Sequence, residues 1–221
     1  MINRQNNFKQ EAELICSECH HAISALGGTF DSVVECLVET IEHFMNRLSS
    51  CSTKHKVINS AELRYRSKLL NQLINFLFRE YQVTSSTKYI MVLSPASKML
   101  SAAVPVVIID CISRCAGSKY KNSIAKSEYF KRKQRYSLYL IVSETCSIVK
   151  DIDPKLTAID QIYVLRKDKK LNSENPLSVD LVIDLFNYVV GSLTIDKNPI
   201  HKRINSGRMI DRLNRPLAIN W

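Results

Sequence analysis

The chain has 221 residues, with 31 Lys and Arg against 21 Asp and Glu, which gives a formal net charge of +10. Hydrophobic residues make up 45% and charged residues 24%, a composition typical of globular proteins that excludes a disordered or collagen-like chain. There are 5 glycines, and neither G-x-G-x-x-G nor G-x-x-x-x-G-K-[ST] occurs, so no glycine loop that cradles nucleotide phosphates is predicted.

The first 90 residues show the periodicity of amphipathic helices. Apolar residues within 8–26 recur at steps of three and four, which predicts a first helix. Ser32 and Glu35 have the spacing of a capping box and predict the start of a second helix. A third apolar stripe lies within 63–81, and residues 83–88 are predicted as a loop. Three such helices with short connections indicate a helical bundle.

The middle of the chain allows two interpretations. The run 104–109 is rich in β-branched residues and fits a buried strand, but we predict an interrupted buried helix that ends near Gly117. The spacing of apolar residues over 125–150 predicts one long helix. Pro154 is expected to begin a short helix that continues through Leu165.

The last part of the chain contains a polar segment, 168–177, which is predicted to be a linker or loop. Ser178 is expected to cap a helix that continues to Leu193. A basic helix is expected over 199–214, with proline at its first position.

The predicted fold is therefore mainly α, a bundle of about seven or eight helices, with a short buried β segment in the middle as the alternative for that region. Residues 1–167 form the predicted core domain, and 168–177 form the linker. Residues 178–221 form a basic helical pair, which is either separate or packed on the core as one domain.

Positive charge is concentrated in the second half of the chain. Residues 1–110 contain 11 Lys and Arg against 10 Asp and Glu, whereas residues 111–221 contain 20 against 11. Cations of this kind neutralise phosphates, and the interleaved aromatic residues offer faces on which bases stack. The predicted partner-binding residues are Lys131, Arg132, Lys133, Arg135, Lys202, Arg203, Arg208, Arg212 and Arg215.

These observations predict a non-enzymatic binding or regulatory protein whose partner is an acidic macromolecule. Nucleic acid is preferred over acidic protein as that partner. Helices 178–193 and 199–214 have the arrangement of a helix-turn-helix, in which the second, basic helix would read the nucleic acid. The alternative is a protein-interaction module, such as an adaptor, a chaperone-like component or an effector, with no nucleic-acid role.

The seven cysteines raise the question of a metal site. Cys16, Cys19, Cys111 and Cys115 have spacings that zinc accepts. Their odd total and their places on apolar stripes instead predict reduced thiols, no metal and no cofactor. No catalytic residue is predicted, because no Ser or Cys lies in a G-x-S-x-G elbow. An enzyme whose site is assembled from distant residues is the third interpretation.

The location of the protein is predicted from what the chain lacks. No secretion signal is recognised at the first residues, and the most apolar window, 99–112, is too short to span a bilayer. A cytoplasmic protein without a transmembrane segment is expected.

Overall fold

A computed structural model describes residues 2–51, 59–81, 83–85, 89–93, 105–133, 138–147, 157–166 and 175–194. The helices are α1 (Ile2–Ser24), α2 (Phe30–Cys51), α3 (Ser60–Leu77), α4 (Gly117–Lys133) and α5 (Val179–Thr194). The strands are β1 (Val83–Ser85), β2 (Ile90–Leu93), β3 (Pro105–Cys115), β4 (Leu138–Cys146) and β5 (Gln161–Val164).

The five strands form one mixed sheet in the order β1-β2-β3-β4-β5. β1, β2 and β3 pair antiparallel, whereas β3, β4 and β5 pair parallel. Parallel neighbours need a crossover connection, and α4 supplies it between β3 and β4. The molecule is therefore an α/β protein, and the predicted all-helical bundle is wrong.

The error lies mainly in the two central strands. Residues 105–115 form β3 rather than an interrupted helix, so the alternative of a buried strand was the right one. The long helix predicted over 125–150 is divided between the end of α4 and β4. Every residue of β4 is buried. A strand covered on both faces is continuously apolar, and such a run has no period that separates it from a buried helix.

Two shorter elements were also assigned wrongly. A helix was expected to run from Pro154 through Leu165, but Gln161–Val164 form the strand β5. Val83–Ser85 form the edge strand β1 rather than a loop. Strands of three or four residues are too short for alternation along the sequence to reveal them.

The helices predicted from amphipathic periodicity are confirmed. α1, α2, α3 and α5 lie where the spacing of apolar residues placed them. The start of α2 differs from the prediction: the Val33 amide donates to the Thr29 carbonyl at 2.9 Å, and the Ser32 hydroxyl donates to the same carbonyl. Ser32 thus lies inside the first turn and does not cap the helix. At α5, the Val182 amide donates to the Ser178 carbonyl, as expected of a helix that begins after Ser178.

The sheet has a different core on each face. The bundle-side core joins α1, α2, α3 and α5 to one face of β3 and β4, represented by Ile109 and Leu140. The α4-side core joins α4 to the other face, represented by Ile108 and Ile141. Side chains alternate between faces along a strand, so each central strand contributes to both cores.

Helix α5 shares the bundle-side core. Val182, Leu185 and Val189 are fully buried there. The basic helix predicted over 199–214 lies outside the described residues, as does most of the predicted linker. The division into a core domain and a C-terminal pair therefore stays a prediction.

Candidate nucleic-acid interface

Helix α4 brings together the positive charge of the described residues. Its 17 residues include six cations and a single acid, Glu128. The six cations are Lys119, Lys121, Lys126, Lys131, Arg132 and Lys133. Lys119, Lys121, Arg132 and Lys133 are exposed, so none of the described residues covers the outer face of the helix.

Small side chains let α4 pack closely on the sheet. Ser123 and Ser127 are fully buried beneath the helix, together with Tyr120. Gly117, at the first position of α4, has a φ of +50°, a conformation that glycine adopts without the strain of a Cβ atom. This glycine permits the sharp reversal from β3 into α4, which determines the face that α4 turns outward.

Three lysines form a row along one flank of α4. Lys119, Lys126 and Lys133 are spaced by seven residues, so each is displaced by only about 20° round the helix and about 10.5 Å along it. Lys121 and Arg132 point in nearly the same outward direction, about 20° apart round the helix, and are separated by about 16.5 Å along it. We call these five residues the α4 basic face.

The middle lysine of the row is anchored from below. Lys126 Nζ lies 2.9 Å from both carboxylate oxygens of Asp110 on β3. Asp110 is 1% exposed, and its Oδ2 also accepts hydrogen bonds from the Ser123 hydroxyl at 2.7 Å and the Tyr139 hydroxyl at 2.9 Å. Burial, with the neighbouring Asp110 charge, raises the pKa of Tyr139 well above its usual range, so this hydroxyl stays a donor.

A second lysine is anchored near the C-terminal end of α4. Lys131 Nζ lies 2.6 Å from Asp160 Oδ2, and the same oxygen accepts the Tyr139 amide at 2.7 Å. Lys131 therefore ties α4 to the segment that precedes β5. Its charge is largely neutralised by this pair, so it contributes less to an outward-facing surface than sequence reasoning expected.

The other two cations of the last turn are open to solvent. The Arg132 side chain is 82% exposed and lies 3.9 Å from Glu128, a separation that contributes little to stability. Lys133 Nζ lies 4.7 Å from the ring centroid of Tyr129, which is 52% exposed. Among the described residues, Lys119, Lys121 and Lys133 form no ion pair with a carboxylate.

The predicted partner-binding residues are thus only partly placed. Lys131, Arg132 and Lys133 lie together in the last turn of α4. The remaining six, Arg135, Lys202, Arg203, Arg208, Arg212 and Arg215, lie outside the described residues. Sequence reasoning missed Asp110 and its pairing with Lys126. The available signal was a lone acid inside a β-branched run, which must have a partner once that run is buried.

A second charged cluster lies on the opposite side of the sheet. Glu144 on β4 receives two hydrogen bonds from Arg66, at 2.8 and 2.9 Å, and further ones from Arg166 at 3.0 Å. Arg166 also pairs with Glu42 at 2.9 Å. The Glu144 side chain is fully buried, and the two guanidinium groups are 3–4% exposed. We call these four residues the sealed cluster, since Glu144 and both arginine side chains are almost fully removed from solvent.

The cysteines do not converge on one point. Cys16, Cys19 and Cys111 lie in the bundle-side core, whereas Cys115 lies in the α4-side core. All seven are free, and burial raises the pKa of Cys19 to about 12. In the part of the chain that the structure describes, no group of three or more His, Cys, Asp or Glu is placed to hold a metal.

The fold defines an α/β protein with helices on both faces of a mixed sheet, and a solved structure shares it. The A2B2 tetramer of native BbvCI matches with a TM-score of 0.55 and 17% identity, covering 88% of this chain and 93% of that chain. At this identity the similarity establishes the fold alone. No family model and no curated protein matches the chain. None of the described helices is both long and apolar enough to cross a bilayer.

Proposed function

We propose that this protein binds nucleic acid, with DNA preferred, through the α4 basic face. The observation that carries the proposal is the α4 basic face itself, five cations on a helix whose sixth cation, Lys131, is paired with Asp160. Lys119 and Lys133, which form no ion pair among the described residues, can contact phosphates and release their counterions, whereas Lys126 is shared with Asp110.

The shared fold favours DNA among acidic partners. BbvCI is a restriction endonuclease, a class of protein that acts on DNA. The structural similarity extends over 88% of this chain and 93% of that chain. This supports DNA over an acidic protein as the partner, which remains the alternative.

Two buried carboxylates among the described residues are engaged within the fold. Asp110 is held by Lys126, Ser123 and Tyr139, and Glu144 is held by two arginines. Carboxylates used in this way stabilise the fold and position α4.

The test is the salt dependence of binding by the full chain. Affinity for a random-sequence DNA duplex is measured across a salt series for the wild type and for Lys119→Ala/Lys133→Ala. We expect binding at low salt, and we expect the double variant to reduce the slope of log K against log salt by about 1.8.

The matched control is Lys9→Ala/Arg64→Ala. It removes two exposed cations from α1 and α3, on the other side of the sheet, and should leave the slope unchanged. Absence of binding at low salt, or equal slopes in all three proteins, would contradict the proposal.

A second candidate function is phosphodiester hydrolysis. It is favoured by the BbvCI fold and by the pairing of buried Asp110 with Lys126, which belongs to the α4 basic face. A positioned ammonium group can stabilise charge that develops on a phosphoryl oxygen. Nicking of supercoiled plasmid with added Mg²⁺ by the wild type, lost in Asp110→Asn, would establish this activity; equal nicking by both would exclude Asp110 from it.

A further inference from the structure

We infer that the α4 basic face takes unpaired nucleotides, with one base stacked on the ring of Tyr129. This inference rests on the proposed function and specifies its substrate as single-stranded nucleic acid. Its basis is the placement of Tyr129, which differs from that of the other aromatic residues of α4.

Tyr129 points away from the sheet. Tyr120 is fully buried in the α4-side core and Phe130 packs against that core, whereas Tyr129 is 52% exposed. A tyrosine that served packing would follow the buried face of the helix. Tyr129 lies instead beside the row of lysines, about 40° round the helix from Lys133.

Two neighbouring side chains contact the ring of Tyr129. Lys133 Nζ lies over the ring at 4.7 Å from its centroid, and Phe130 meets it nearly perpendicular at 5.6 Å. Phe130 is itself fixed by Tyr89 at 5.0 Å and by Tyr139 at 6.1 Å. An aromatic ring that is already positioned loses little conformational freedom when a base stacks on it.

Cations lie on both sides of the ring. Lys126 and Lys133 lie on one flank of α4, and the 82% exposed Arg132 lies on the outward face. An exposed aromatic ring bordered by cations is the arrangement with which proteins bind single strands, since bases stack while the backbone is neutralised.

This arrangement discriminates against a duplex. In a duplex the base faces are covered by neighbouring bases, and a ring on a helix surface reaches them only if a base is flipped out at a cost of unstacking. The lysines contact phosphates in either form, but Tyr129 gains a stacking partner only from an unpaired base.

The experiment measures the affinity of the full chain for a labelled single strand and for the duplex of the same sequence at one low salt concentration. Tyr129→Ala should weaken single-strand binding about 5- to 150-fold, the factor that corresponds to one base stack. Duplex binding should change less than twofold, and Tyr129→Phe should retain single-strand affinity because it keeps the ring. Phe30→Ala, which removes a 41% exposed aromatic ring from α2, is the matched control and should alter neither affinity.

A second readout reports stacking directly. A single strand that contains 2-aminopurine should lose fluorescence on binding to the wild type, and this quenching should be lost with Tyr129→Ala and kept with Tyr129→Phe. Equal affinity losses for single strand and duplex, or unchanged single-strand affinity and quenching in Tyr129→Ala, would overturn the stacking role. In that outcome salt-dependent duplex binding would leave the proposed function intact, whereas binding of neither form by the wild type would contradict both.

Discussion

The two faces of the sheet carry charged groups of the same kinds and use them differently. On the bundle side, Glu144 lies between Arg66 and Arg166, and all three are shielded from solvent. On the α4 side, Asp110 and Asp160 each bind one lysine that remains a quarter or more exposed. The first arrangement joins secondary elements to one another, and the second positions a helix that stays open to a partner.

The difference follows from desolvation. A charge that is fully removed from water needs several strong partners, and losing one leaves an uncompensated buried ion. A lysine that stays partly hydrated has a smaller desolvation cost on pairing, and its ion pair also stabilises the fold less. The comparison therefore predicts a graded response to removal of charge.

The largest effect is expected in the sealed cluster. Glu144→Gln removes the carboxylate that two buried arginines share, so that Arg66 keeps only Glu62 and Arg166 keeps only Glu42. Because two charges then share too few partners, it should lower the free energy of unfolding by about 3 kcal/mol. Chemical denaturation followed by circular dichroism measures this loss. Glu128→Gln, at an exposed pair on α4, is the control and should change stability by about 0.5 kcal/mol or less. Equal changes in the two variants would remove the distinction between the two faces.

An intermediate effect is expected beneath α4. Lys126→Met removes the cation from Asp110 but leaves the hydrogen bonds from Ser123 and Tyr139. Because Lys126 is 29% exposed, we expect a loss of about 1–3 kcal/mol, smaller than for Glu144→Gln. Lys119→Met, at an exposed position of the same row, should be nearly neutral. Urea denaturation measures the free energy of unfolding of both variants. An unchanged stability in Lys126→Met would contradict the prediction.

The smallest effect concerns alkaline pH. The pKa of Tyr139 is raised by burial and by the Asp110 charge, so the folded protein keeps this proton when the unfolded chain loses it. The resulting stability is fully present below the unfolded pKa of about 10 and decreases as the pH rises above it. Tyr139→Phe should therefore lose less stability than the wild type between pH 9 and about 11.

This alkaline effect has its own control on α4. Tyr129→Phe removes an exposed hydroxyl and should follow the wild-type curve. If the Tyr139→Phe and wild-type curves are parallel, the hydroxyl of Tyr139 does not carry the proposed link to Asp110.

Much of the bundle side could be predicted from the sequence, because each helix there is amphipathic. α2 buries Val34, Leu37, Ile41 and Leu48 at helical spacing and exposes polar residues between them. The central strands gave no such signal, since both of their faces are covered. The candidate residues Lys131, Arg132 and Lys133 were found from charge alone.

The arrangement of the cations along α4 could not be predicted from the charge pattern of the sequence. The row of Lys119, Lys126 and Lys133 requires a helix that begins at Gly117 and ends at Lys133, whereas the predicted helix ran over 125–150. The pairing of Asp110 with Lys126 depends on the reversal of the chain at Gly117. These are properties of the folded topology and have no counterpart in local spacing.

The sealed cluster also constrains the order in which the protein is assembled. Arg66 and Glu144 are 78 residues apart in the chain, and Arg166 and Glu42 are 124 apart. Contacts of such long range form slowly, because the chain loses the entropy of loop closure before it gains the energy of the contact. During synthesis Glu42 and Arg66 leave the ribosome first and stay hydrated until β4 and Arg166 follow. Closure of the sealed cluster is therefore expected to be a late folding step, which waits for the first 166 of the 221 residues.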